Sequence, residues 1–188
     1  MNINGNSKDS NYRYKRPDFD VKIGGGGNGI YSTINNMDII GKSINHPASI
    51  LFKYFAKVTG SNYIEAKNQL TGTHTKQSLD ILLQEYIENF IICPKCNIPE
   101  TIPKLVGNKK RAELFLACNA CNNESPVVST KKNIERGIDI IIKYLQGGNE
   151  WKIPKSNIIK KIEVNNIVSD TIAISDNTVE EYVPFDDI

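Results

Sequence analysis

The four cysteines of this 188-residue chain stand in two identically spaced pairs, Cys93-Pro94-Lys95-Cys96 and Cys118-Asn119-Ala120-Cys121, separated by 21 residues. No other feature limits the fold so strongly. Two residues between thiolates let one tight knuckle aim both sulfurs at a single ion, and two such knuckles complete a tetrahedral shell. The gap is about one residue longer than the common ribbon spacing. The expected cofactor is therefore one structural Zn2+ held by Cys93, Cys96, Cys118 and Cys121. A closed four-sulfur shell leaves no position for a reactive water, which argues against zinc-dependent hydrolysis. The competing readings are two disulfides, a redox-active pair or another metal. The polar start, Met1 to Ser10, does not read as a secretory leader, and neither pair stands alone as a redox motif does.

Charge is spread unevenly. Residues 1–60 carry 8 basic and 4 acidic groups, residues 61–150 carry 11 and 10, and residues 151–188 carry 4 and 7. A basic head and an acidic end suggest different partners. No run approaches the roughly 18 to 20 consecutive apolar residues a membrane helix needs, so the expectation is a soluble, unsecreted protein without a membrane partner; a cytoplasmic location and a monomer are expected as well. The 28 Ile, 22 Asn and 19 Lys resemble the coding bias of an AT-rich genome and say nothing of fold.

Along the chain, residues 1–18 lack apolar periodicity and read as a flexible arm. Phe19, Val21 and Ile23 alternate, Gly24 to Gly29 supply a turn, and Ile30 to Ile34 return, predicting a β-hairpin. A phosphate-cradling loop would need a following Lys-Ser/Thr and a helix, and neither follows. Pro47 opens a helix on which Ile50, Leu51, Tyr54, Phe55 and Val58 repeat at three and four, ending at Gly60. Residues 63–71 hold one or two short strands, and Leu79, Leu82, Leu83, Tyr86 and Phe90 mark a second helix that runs into the first knuckle. Ribbon strands are expected over 101–106 and 113–118, and a helix capped by Ser129 or Thr130 carries Ile134, Ile138, Ile141 and Leu145 up to Gly147-Gly148. The expected architecture is α+β: arm 1–18, a ββα-type α/β domain 19–91, a zinc ribbon with its following helix 92–148, and a mobile or loosely docked acidic tail 149–188. His46 and His74 have no metal or nucleophile partner in the sequence and read as surface or helix-end residues.

The order of these parts carries a resemblance. An arm with Tyr12-Arg13-Tyr14-Lys15 precedes a domain containing Gly27-Asn28-Gly29-Ile30, Asn35-Asn36-Met37, Asn45 with Pro47, and Lys53-Tyr54-Phe55; Cys93-Pro94-Lys95-Cys96 and Pro99-Glu100-Thr101 follow. Over roughly residues 11–145 the chain resembles the N-terminal domain of eukaryotic translation initiation factor 5. The beta subunit of initiation factor 2 shares the architecture, but its long lysine-block extension is not seen here.

The resemblance implies a GTPase-activating role toward initiation factor 2, bound with initiator tRNA on the small ribosomal subunit during start-codon recognition. The family's arm arginine corresponds to Arg13. A guanidinium delivered in trans neutralises charge developing on the transferred γ-phosphoryl, an effect worth about 10³ to 10⁵ in rate. Such a protein activates another protein's GTPase and is not itself an enzyme with a substrate pocket. Tyr12 and Tyr14 would restrain Arg13 by stacking; the plainer reading makes them, with Lys15, a basic aromatic contact strip. Lys53 matches a second basic position of the family, beside the plainer reading of a solvated residue on an amphipathic helix, and Asn28, in the matched Gly-Asn-Gly-Ile, is a further candidate contact. Tyr31 stands where the family usually has lysine, which removes roughly one counterion from any RNA contact there. The turn Lys109-Lys110-Arg111 is a candidate phosphate contact, with a solvated basic turn as the equal alternative. The ending Phe185-Asp186-Asp187-Ile188 resembles the acidic end of initiation factor 1A, which binds the subunit-joining factor 5B; capture of that factor stands beside the plainer reading of a solvated acidic end. Family members usually continue into a helical-repeat domain, for which residues 151–188 leave no room. Two alternatives stand beside this reading: a module that binds ribosome and initiator tRNA without stimulating hydrolysis, and a zinc-ribbon nucleic-acid protein outside initiation. The AT-rich character fits a giant-virus or protist mimic of a host factor.

Overall fold

The computed structural model describes residues 1–5, 9–108, 111–129, 131–149 and 151. Strand β1 (Val21–Gly24) and strand β2 (Tyr31–Ile34) form the expected antiparallel hairpin, with Gly24 opposite Tyr31. The reversal needs glycine at residue 25, where φ is +83° and a Cβ would meet the Gly29 carbonyl oxygen at 2.2 Å. Strand β2 also pairs with β4 (Gln69–Thr71), and β3 (Tyr63–Ile64) completes an antiparallel sheet ordered β1-β2-β4-β3. Ser32, Ile34 and Leu70 are buried.

Helix α1 (Met37–Ser43) has no legible periodicity in the sequence. It has only seven residues, with glycine among them, and buries Met37 and Ile40, with Ile44 just beyond its end. Gly41 lets the next segment close over it, since a Cβ there would lie 2.6 Å from the His46 carbonyl oxygen. Helix α2 (Ala48–Thr59) matches the expected span, with Pro47 at its N-cap and Gly60 at φ +73° closing its C-terminus. Its buried Ile50, Leu51, Tyr54 and Phe55 each contribute about 1.5–3 kcal/mol of transfer free energy. Helix α3 (Lys76–Phe90) starts at Thr75, whose hydroxyl oxygen accepts the Ser78 N–H, and packs Leu79, Leu83, Tyr86 and Phe90 inward. Rings of Tyr54 and Phe90 flank Tyr86 at centroid distances of 4.9 and 4.8 Å.

Beyond α3 the chain forms a second antiparallel sheet, β5 (Thr101–Val106), β6 (Glu113–Cys118) and a third strand β7 (Glu124–Pro126), in that order. Strand β7 lies outside the sequence expectation, because three residues ending in proline carry no alternating pattern. The buried Thr101 hydroxyl lies 2.9 Å from the Ile91 carbonyl oxygen and 3.1 Å from that of Phe90, tying β5 to the end of α3.

Helix α4 (Lys132–Gln146) begins after Lys131, without a side-chain cap, and not directly at Ser129 or Thr130. It returns to the first core: Ile134 and Ile141 are fully buried, and Gly137 packs against Phe90 and Tyr54. After it, the Trp151 indole packs on His46 and Tyr144 at 4.6 and 5.7 Å. The remainder of the expected acidic tail, residue 150 and residues 152–188, lies outside the described residues. Among the described residues no helix is long and apolar enough to cross a membrane.

His46 and His74 each precede a helix N-cap, as a helix-end reading requires, but neither is on the surface. His46 is fully buried, its Nδ1 2.9 Å from the Tyr86 hydroxyl. His74 is buried with its Nε2 2.9 Å from Ser61 Oγ and its backbone N–H donating to Ser32 Oγ. Both are structural connectors between segments, which a single sequence does not reveal.

Candidate functional site

The two CxxC segments fold alike. The N–H groups of Asn97 and Asn122 donate to the carbonyl oxygens of Cys93 and Cys118, each at 2.9 Å, and both asparagines are left-handed, at φ +57° and +53°. Cys93 N–H donates to Ile98 O at 3.0 Å and Cys118 N–H to Asn123 O at 2.9 Å, closing each knuckle the same way. An Asn directly after both pairs is the sequence signal for this geometry, because asparagine tolerates the left-handed region.

All four Sγ atoms lie within 4.8 Å of one another, with Cys93–Cys121 and Cys96–Cys118 each at 3.7 Å. A tetrahedral ion with sulfurs at about 2.3 Å separates them by about 3.8 Å, so the donor set fits a zinc-sized cation. The titration conflict points the same way. Burial pushes the Cys93 thiol up, but the Cys96 and Lys95 backbone N–H groups outweigh it and bring it to about 7. At Cys96 the Ile98 N–H draws the thiol down, yet burial and the three neighbouring sulfurs push it up to about 12. A dication among the sulfurs relieves this repulsion and holds all four as thiolates. These residues could hold one metal ion and leave no open ligand position.

The arm, expected to be free, is placed against both α3 and the ribbon. Asn2 and Lys15 form an antiparallel bridge, with Ile3 N–H donating to Tyr14 O and Arg16 N–H to Met1 O, each at 2.9 Å. Ile3 is buried, and so is Arg16, whose Nη1 is 3.1 Å from Asp80 Oδ1 on α3. On the other side the Tyr14 hydroxyl donates to the Glu100 carboxylate ahead of β5. Accepting that bond, the carboxylate pushes the Tyr14 hydroxyl above its usual value, and burial adds to the effect. Arg13, immediately before the Tyr14 anchor, is exposed, its guanidinium 5.8 Å from the centre of the Tyr14 ring; Tyr12 and Tyr14 rings are tilted at 5.7 Å. Lys15 is exposed and donates to Ser10 O at 2.8 Å. The anchoring residues Arg16, Asp80 and Glu100 are not among the sequence candidates, since partners 64 and 86 positions apart leave no local pattern.

The other candidates are scattered. Lys53 is exposed on α2, between buried Phe52 and Tyr54. Asn28 lies in the short helical turn Gly27–Gly29. Tyr31 begins β2 with its ring across Gly24, where a Cβ would approach within 2.9 Å, so the aromatic has a packing role that lysine would not fill. Arg111 is exposed in the turn between β5 and β6, its N–H donating to Asn108 O at 2.8 Å. Lys109, Lys110 and the terminal Phe185, Asp186, Asp187 and Ile188 fall outside the described residues. Arg13, Lys53 and Arg111 thus lie on three separate segments, the arm, α2 and the turn between β5 and β6.

A small helix-covered antiparallel sheet, continued into a four-cysteine ribbon and carrying an arginine-bearing segment across both, defines an α+β protein with a candidate structural metal centre. The model of a family described as a domain found in initiation factors 2B and 5 matches residues 4–124, and the chain belongs to that family. It is 35% identical over 125 residues to eukaryotic translation initiation factor 5 of Mus musculus, covering 64% of this chain and 29% of that protein. Against the factor 5 of Saccharomyces cerevisiae the identity is 30% over 131 residues, covering 68% and 32%. Against that of Phaseolus vulgaris it is 37% over 127 residues, covering 65% and 28%. The chain thus spans less than a third of the length of these relatives. Helix α4 and Trp151 lie beyond the matched residues yet complete the core.

Proposed function

We propose that the chain acts as a translation initiation factor during start-codon recognition on the small ribosomal subunit, where Arg13 is supplied in trans to stimulate GTP hydrolysis by initiation factor 2. The observation that carries this reading is the state of Arg13: its side chain is exposed while the chain beside it is tied down at Tyr14 and Arg16. A guanidinium presented on a restrained backbone loses little further freedom on engaging a phosphoryl group, which is how a trans-acting arginine contributes to rate. Zinc at the four cysteines serves as a fold element only. Family membership and factor 5 relatives support the class of role; initiator tRNA and the small subunit belong to the same proposal, as does capture of factor 5B by the acidic end.

The testing experiment is single-turnover GTP hydrolysis by initiation factor 2 in reconstituted small-subunit complexes, wild type against Arg13→Ala, with binding and zinc content matched. Acceleration lost in the variant is the expected result. A bound, zinc-loaded wild type that gives no acceleration overturns it and favours a second reading, a module that occupies ribosome and initiator tRNA without activating the GTPase. The commitment of Tyr31 to packing over Gly24, where relatives are expected to carry a lysine, is what favours that alternative.

A further inference from the structure

The arm has two anchors of different kinds. Arg16–Asp80 rests on α3, inside the helical core, whereas Tyr14–Glu100 rests on the ribbon. Glu100 is itself held by the second knuckle: its carbonyl oxygen accepts the backbone N–H of Asn119 at 2.9 Å, and Asn119 sits between Cys118 and Ala120. The following residue, Thr101, is the register partner of Cys118 on β6. A continuous set of contacts therefore runs from the sulfur cluster through Asn119 and Glu100 to the Tyr14 hydroxyl, and the Tyr14 ring carries the Arg13 guanidinium.

We propose that Glu100 is a positioning residue that makes the order of the arm, and hence the presentation of Arg13, depend on metal at the four cysteines. The physical reason lies in the second knuckle. Its chain path holds Asn119 N–H toward Glu100 only while Cys118 and Cys121 share a ligand sphere with Cys93 and Cys96, because this small ribbon has little core of its own to keep the knuckle closed. With the knuckle open, Glu100 loses its register, Tyr14 loses its acceptor, and the arm keeps only its attachments on the helical side, the Asp80 ion pair and the buried Ile3. The contacts are within this chain and stand independently of the GTPase proposal; only the consequence for Arg13 rests on it.

The test is amide hydrogen exchange of the full chain, zinc-loaded and after chelation, read at Ile3 and Arg16, whose N–H groups close the arm bridge. Amides of α3 serve as an internal standard, and trypsin cleavage after Arg13 is a second readout. Metal removal is expected to raise exchange at these two amides about three- to tenfold in the wild type. Tyr14→Phe keeps the ring and removes only the hydroxyl; it should reach that raised rate while still zinc-loaded, and chelation should then add less than about twofold. Glu100→Ala should behave the same way, with Glu100→Gln in between. Asp80→Asn, the control, should loosen the arm while preserving the full response to metal. Equal protection in Tyr14→Phe and wild type overturns the proposal, as does an identical chelation factor in the two proteins, or a chain that takes up no metal. Hydrolysis is scored separately: an arm that responds to metal in a protein that does not accelerate GTP hydrolysis supports the coupling and rejects the GTPase reading.

Discussion

The indole Nε1 of Trp151 donates to the carbonyl oxygen of Asn45 at 3.1 Å, so a residue beyond α4 closes the tight connection between α1 and α2, where Asn45 is held at φ +57°. The same indole packs edge-on against His46 at 4.6 Å. Residues 106 positions apart thus complete one corner.

Removing that indole should be costly. Trp151→Ala is expected to lower stability by about 2–3 kcal/mol, from lost ring contacts and an unpaired Asn45 carbonyl. Trp151→Phe keeps most of the packing and should lose about 1 kcal/mol. Urea denaturation followed by far-ultraviolet circular dichroism separates the two. Equal stability of Trp151→Ala and wild type would show that the corner holds without it.

His46 makes stability depend on pH. Burial drives its imidazole from the ordinary 6.5 down to about 3, because the ring has no room to gain charge between Tyr86 and Trp151. Below pH 6.5 the unfolded chain takes up a proton that the folded chain refuses. The contribution is therefore fully present above about 6.5 and is lost as pH falls toward 3, at up to about 1.4 kcal/mol per unit. Zinc-loaded wild type and His46→Gln, compared at pH 7.0, 6.0 and 5.0, should show the steeper decline in the wild type. Parallel slopes would contradict the assignment.

Gly137 sits inside α4, where alanine would ordinarily gain about 1 kcal/mol of helix propensity. A Cβ there meets Phe90 Cζ at 2.5 Å and Cε2 at 2.7 Å, with Tyr54 at 3.4 Å. Those rings are themselves enclosed, so overpacking of about 1–3 kcal/mol should outweigh the propensity gain. Gly137→Ala is expected to have a lower urea midpoint with helicity retained. A raised midpoint would mean that Phe90 yields easily.

Zinc should bind at one equivalent per chain. Chelation is expected to strip exchange protection from β5 and β6 while α2 and α3 keep theirs, because α2 and α3 supply many of the buried apolar side chains, whereas the ribbon adds Leu114 and the packed Leu105 to that cluster and relies on the ion to close its knuckles. Elemental analysis with amide exchange checks both parts. Retained protection of β6 after complete metal removal would overturn this view of the ribbon.

Much of the architecture is legible where a local rule repeats. The two knuckles are visible because two residues between sulfurs is a short-range constraint. Helices α2 and α3 show their apolar stripes over 12 and 15 residues, with Pro47 and Gly60 marking the ends of the first. The hairpin can be read from alternation around a glycine run. Helix α1 and strand β7 cannot, since seven and three residues are too short for a period to emerge, and what fixes α1 is the approach of His46 O to Gly41.

The sequence by itself determined the two cysteine knuckles and the main helices, because each is set by neighbours within a turn or two of chain; the choice of Arg13 came from the family resemblance of the arm. Tertiary structure alone decided that α4 returns to the first core, that His46 is buried against Tyr86, and that the arm is anchored to Asp80 and Glu100. Those outcomes depend on pairs 40 to 86 positions apart, whose meeting is chosen by the packing of the whole chain.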